Sequence, residues 1–242
     1  MKDDAFFVGW APRAPVGLRG FLASLVVAVL GTAALLALLL SARIDDPGGG
    51  QFDWAAGEQT LHGLLTASPY PLLQLPDGHT VLLAGEGKTG PDFDPALAGR
   101  MVAASGIMLH RGTIEMLMVG DDPGLHAAAG GQAPPPPVAL GRWRLVGEIC
   151  DGKCWIGAMR PGSGIAHRAC ASLCLIGGLP PVLVTVAPVA GSSFLLLAGP
   201  DGGPMPEALR RLVGLRIRLD GTIERRGDVL VLCADPASAR VL

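Results

Sequence analysis

The sequence predicts a mainly β protein, with an N-terminal transmembrane helix followed by two OB-like five-stranded barrels. Three observations lead there. An uncharged apolar stretch from Gly20 to Ala42 stands near the start. Short apolar or alternating runs, punctuated by 35 Gly and 21 Pro, fill the rest of the 242 residues. The body also repeats itself: "LAGRMVAASGIMLHRGTIEMLMV" aligns with "LVGLRIRLDGTIERRGDVLVLCA", and Gly99, Gly106 and Gly112 match Gly214, Gly221 and Gly227 at one constant offset.

The helix comes first. About 20 apolar residues cross a bilayer, and residues 20–42 suffice. A cleaved signal peptide would have a shorter apolar core and small residues at −1 and −3 of the cut. The best cut, after Ala42, puts Leu40 at −3, so the sequence reads as an uncleaved anchor. Lys2, Arg13 and Arg19 precede it, while Arg43 is followed by Asp45 and Asp46. The positive-inside rule then places residues 1–19 in the cytoplasm and the body across the membrane. In a bacterium this is a single-pass inner-membrane protein with a periplasmic body. Gly17, Gly20, Ser24, Ala28 and Gly31 recur at spacings of three or four, a small-residue face on which a partner helix can approach closely. The "FFVGW" stretch, Phe6 and Trp10 with the residues between them, reads as an interfacial aromatic belt or a docking segment.

The body is read from its periodicity. "TLHGLLTA", "PLLQL" and "TVLLA" alternate or run apolar as strands do, and "WRLVGEI", "VLVTVA" and "FLLLA" do so again later. A short helical segment follows each set, "DFDPALAG" and then "PMPEALRRLVG", with Pro near its start and Gly at its stop. The aligned strand–turn–strand segments come last. Three strands, a helix and two strands is the order of the OB-fold. The expected domains are 57–125 and 140–242, joined by a linker at 126–139 that is stiffened by four consecutive prolines. One merged β-sandwich is the rival architecture. A second uncharged run, 169–199, is broken by Gly177-Gly178, Pro180-Pro181 and Pro188, so strands explain it better than a spanning helix.

Composition narrows the function. A net charge of −2 leaves no basic footprint for nucleic acid, and 5% aromatic residues leave few stacking platforms. No Ser-His-Asp order, paired-carboxylate pattern or phosphate loop stands out. "GEGKTG" lacks phosphate-loop spacing and reads as a turn.

The segment that asks for an explanation is "CDGKCWIGAMRPGSGIAHRACASLC". It holds four of the five cysteines and falls between the first two strands of the second expected barrel, as an insertion over 150–180. The other barrel has only "SPY" there. A long insertion at the usual ligand-binding end of an OB-fold points to a function. "HRACASLCLIGG" predicts a short helix with a Gly-Gly stop, on which His167, Cys170 and Cys174 share a face. The "RPGSG" turn can fold Cys154 towards that face. Cys154, His167, Cys170 and Cys174 then make a Cys3His set, the composition of a structural zinc site, with Cys150 as an alternate ligand. Thiolates favour zinc, or less readily copper, over hard cations, and Lys153, Arg160 and Arg168 would offset their charge. The competing reading is disulfide bonding of the same cysteines, because thiols oxidise outside the cytoplasm. Cross-pairs between the Cys150/Cys154 arm and the helix suit it best. No CxxCH stands in the sequence for covalent haem. Cys233 reads as a buried small hydrophobe, and Met159 and Met205 as core residues more than copper ligands. His62, His79, His110 and His126 are dispersed without ligand spacing.

"KCWIGAMRPGSGIAHRACASLC" followed by "GGLPP", together with "FFVGW", resembles a group of bacterial single-span membrane proteins; the resemblance implies no established activity. More loosely, an anchored extracytoplasmic OB barrel is similar to the haem chaperone of cytochrome c maturation. That family's haem-linking histidine is missing, since no histidine follows His167, and the haem role does not carry over. The expectation is a non-catalytic accessory subunit of a membrane complex, such as a respiratory or electron-transfer one. The alternative is a periplasmic metal or cofactor chaperone, or a thiol-redox assembly factor.

Overall fold

A computed structural model describes residues 16–41, 48–130 and 136–242. The chain divides into two compact units, Met1–Asp46 and Pro47–Leu242. In the first, helix α1 runs over Val16–Ser41. Its Gly17–Leu39 stretch has a mean hydropathy of 2.6 and is long and apolar enough to cross a membrane. The helix begins at Val16, ahead of the expected residue 20. Arg19 falls within its first turn. Gly20, Ser24, Ala28 and Gly31 are all exposed on this helix. Phe6 and Trp10 lie outside the described residues.

The second unit has, among the described residues, twelve strands in two sheets. Five of them close a barrel: β8 (Val138–Asp151), β9 (Pro181–Val189), β10 (Ser192–Ala198), β11 (Arg216–Arg226) and β12 (Val229–Val241). The order around the barrel is β10-β12-β11-β8-β9, with β10 and β12 parallel and every other pair antiparallel. The cysteine insertion, which includes helix α2 (Arg168–Ile176), sits between β8 and β9. Helix α3 (Glu207–Arg210) lies between β10 and β11, where the sequence places a helix start and stop. Ile149, Leu183, Leu195, Ile217, Leu219 and Leu232 fill the interior with no exposed surface.

The other sheet contains β1 (Gln51–Phe52), β2 (Gln59–Thr66), β3 (Leu72–Gln74), β4 (Thr80–Ala84), β5 (Met101–Arg111), β6 (Ile114–Val119) and β7 (Leu125–Ala127). Its order is β1-β5-β2-β3-β4-β6, with β7 on β5 and a further ladder between β5 and β6. The "DFDPALAG" segment forms only a 3-10 turn at Pro95–Leu97, capped by the Asp94 carboxylate, which accepts from the Ala96 N–H at 2.9 Å.

The two sheets share a core. Leu65, Leu73, Leu83 and Leu117 belong to one cluster. Their sequence neighbours Leu72, Leu82 and Met116 pack instead with Leu196 and Val231 of the barrel, and with Cys154, Ile156 and Cys174 of the insertion. Successive residues of a strand point to opposite faces. Strands buried on both faces therefore read as unbroken apolar runs, which is why "TVLLA" and "FLLLA" do not alternate.

Candidate metal centre

The insertion leaves β8 at Asp151 and enters a π-type turn at Cys154–Ala158. Gly157 allows this turn: its φ is 154°, and a Cβ there would lie 2.5 Å from the Gln51 nitrogen. The Arg111 guanidinium lies 3.4 Å over the Trp155 ring and donates to the Trp155 carbonyl at 2.7 Å, fixing the turn to β5. A 3-10 turn at Ile165–His167 then leads into α2, and Gly177 ends the helix by donating to the Leu173 carbonyl.

This path brings the expected ligands into two overlapping groups that share Cys154. The donor atoms of Cys154, His167 and Cys170 all lie within 4.8 Å of one another, and so do those of Asp151, Cys154 and Cys174. The Cys154 and Cys174 sulfurs are 4.0 Å apart. Two thiolates on one tetrahedral zinc, with bonds of about 2.3 Å, stand about 3.8 Å apart, so this pair has the spacing of a metal-bound edge. It is too long for a disulfide, whose sulfurs are about 2.05 Å apart, and all five cysteines are free thiols in this structure.

Asp151 joins the cluster beyond the four expected residues. Its carboxylate is fully buried. One oxygen accepts the Cys154 N–H at 2.8 Å, and the other lies 3.1 Å from His167 Nε2. A carboxylate that orients a ligating histidine is a common support of metal sites. Its signal was present in "CDGKC", three residues before Cys154. Cys150, the alternate ligand, points elsewhere: its sulfur donates to Glu148 at 3.3 Å. Burial, then the Glu148 charge, pushes its thiol far up, so it stays protonated.

Two of the three expected cations lie elsewhere. Arg160 donates to the Gly50 carbonyl and Arg168 to the Arg211 carbonyl, so neither serves the sulfurs. Lys88 does, from the "GEGKTG" loop: its Nζ is 2.6 Å from Cys170 Sγ and 3.9 Å from Cys174 Sγ. The hydrogen bond to Cys170 holds its pKa above the ordinary lysine value. Lys153 is buried and supports the same loop, donating to the Gly85 carbonyl at 2.7 Å and the Gly87 carbonyl at 3.1 Å; burial lowers its pKa. The Gly90 N–H closes the contact by donating to the Gly177 carbonyl at 2.9 Å. The loop is a turn, as its sequence suggests, and tertiary packing makes it the cover of the cysteine cluster. Between the close sulfurs, their mutual hydrogen bond favours ionisation of Cys174 and holds the Cys154 proton on.

The remaining candidates separate. Met205 is core, but Met159 is exposed, because it follows the π-type turn at the surface. Cys233 is half-buried against the shared core, and burial raises its pKa. His79 and His110, dispersed in the sequence, converge on Glu115, each at 3.0 Å from one of its oxygens. The chain matches no protein-family model, no curated protein and no solved structure.

Proposed function

We propose that this is a membrane-anchored protein whose periplasmic body carries one zinc ion on Cys154, His167, Cys170 and Cys174, and that it serves as an accessory subunit of a membrane complex. The observation that carries the metal reading is a pair of donor groups sharing Cys154, one with His167 and Cys170 and the other with Asp151 and Cys174, drawn from two turns and a helix and largely buried. Asp151 orients His167, and Lys88 and Lys153 offset thiolate charge. The subunit reading rests on the exposed small-residue face Gly20, Ser24, Ala28 and Gly31 of α1, which suits a partner helix. The body is read as two OB-like barrels. Ladders β2–β3, β3–β4, β4–β6, β6–β5 and β5–β2 trace a ring in the same order as the closed barrel, which supports a second one.

Elemental analysis of the full chain purified in mild detergent tests the metal reading. It should find about one zinc per chain, lost in Cys170→Ser and His167→Ala. Folded protein without metal would overturn it. The same purification should recover partners in fixed stoichiometry, and a lone monomer in native membrane extracts would overturn the subunit role. A metal chaperone or thiol-redox factor is the second reading, favoured by the partial exposure of Cys170 among otherwise buried donors.

A further inference from the structure

We propose that Cys170 is an oxidation site for hydroperoxides, and that its oxidation leads to a Cys154–Cys170 disulfide that dismantles the ligand set. The oxidation chemistry stands on the cluster's geometry; only its last consequence, metal release, rests on the metal reading.

Access selects the sulfur. Asp151, Cys154, His167 and Cys174 are between 0% and 4% exposed, whereas Cys170 is only partly buried. A small oxidant entering from solvent meets Cys170 first. Lys88 stands at the same opening, exposed, with its ammonium nitrogen 2.6 Å from the Cys170 sulfur. An ammonium there stabilises the negative charge of the attacking thiolate and holds a proton beside the peroxide oxygen that must leave. In the first step the Cys170 thiolate attacks one peroxide oxygen, an S–O bond forms and the O–O bond breaks. The leaving oxygen takes a proton from Lys88 and departs as water or an alcohol, and Cys170 becomes a sulfenic acid.

The second step needs another thiol within reach. Cys154 Sγ lies within 4.8 Å of Cys170 Sγ and comes from a different element, the π-type turn. Cys174 sits on the same helix as Cys170, one turn away, where bridging geometry is poor. Cys154 therefore attacks the Cys170 sulfur. The S–S bond forms, the S–O bond breaks, and the hydroxyl leaves as water, taking the Cys154 proton or, where Cys154 is bound to metal as a thiolate, a proton from solvent. Two thiols are oxidised by two electrons and one peroxide is reduced. The disulfide withdraws two of the four ligands.

The test treats the full chain in detergent, loaded with zinc, with hydrogen peroxide. Peptide mapping should find a Cys154–Cys170 disulfide, and a chromogenic chelator should register zinc release in step with it. In the double variant Cys154→Ser/Cys174→Ser, a sulfenic-acid trap such as dimedone should label Cys170. Lys88→Met, a change at an exposed residue, should slow oxidation by about tenfold or more, while Cys233→Ser should leave the rate unchanged. First oxidation at any other cysteine, or an unchanged rate in Lys88→Met, would overturn the inference. If the chain binds no zinc, the metal reading fails alone, and the disulfide map and the Lys88→Met rate still decide this one.

Discussion

Two strand connections occupy corresponding places in the two sheets and do different things. The β2–β3 connection, residues 67–71, is short. Its Tyr70 hydroxyl accepts the Met205 N–H at 2.7 Å, its Ser68 carbonyl accepts from Arg226 at 3.3 Å, and the Tyr70 ring packs against the barrel core. The β8–β9 connection, residues 152–180, gathers three cysteines and a histidine beside a buried carboxylate. The short connection is held by packing and ordinary hydrogen bonds. The long one also packs Trp155, Ile156, Leu175 and Leu179 into the cores, and its greater length of ordered chain costs more entropy, which polar contacts help to offset. Both connections reach across to the opposite sheet, but only the long one assembles reactive atoms.

Removing the metal should separate the two connections most. Chelation of the zinc-loaded protein is expected to release the 152–180 connection by about 3 kcal/mol or more of local stability and leave residues 67–71 protected, as read by hydrogen exchange. Equal exposure of both would erase the contrast. Asp151→Asn comes next. It weakens the acceptors of two buried hydrogen bonds and should cost about 2 kcal/mol and lower zinc affinity by roughly 10–100-fold, measured by denaturation and by competition with a chelator. Gly177→Ala probes the cover: its Cβ would lie 1.9 Å from the Lys88 carbonyl oxygen. The loop must retreat, at a cost of about 1–3 kcal/mol, and alkylation of Cys170 should accelerate.

On the short connection, Tyr70→Phe should cost only about 1 kcal/mol and leave zinc content unchanged. The smallest effect is pH-dependent and lies away from both connections. His79 joins Asp228 of the barrel's last hairpin to Glu115 of the other sheet. Partial burial opposes its charge, but the hydrogen bonds to Asp228 and Glu115 outweigh this and raise its pKa. A raised folded-state pKa adds stability that is fully present below the unfolded value, about 6.5, and is lost as pH rises through the folded value. His79→Gln should therefore lose more stability, relative to the parent, near about pH 6 than near about pH 9.

The pieces are written in local sequence. An uncharged apolar run specifies α1, since a bilayer-length segment of this kind hides from water most readily in lipid. Apolar runs bounded by Gly and Pro specify the strands, and the His167, Cys170 and Cys174 spacing places three candidate ligands close to one helix face. Asp151 could have been found, because a carboxylate three residues before a turn cysteine can accept its N–H. Beyond Lys153, the arrangement of charge around the sulfurs came from tertiary packing. Lys88 reaches Cys170 across 82 positions of sequence, and no periodicity records so distant a contact. The same holds for Arg160 and Arg168, drawn away to backbone carbonyls. Local patterns report which side chains avoid water; which charge ends up beside which sulfur depends on how separate strands pack, and that is settled only when the two sheets close on a common core.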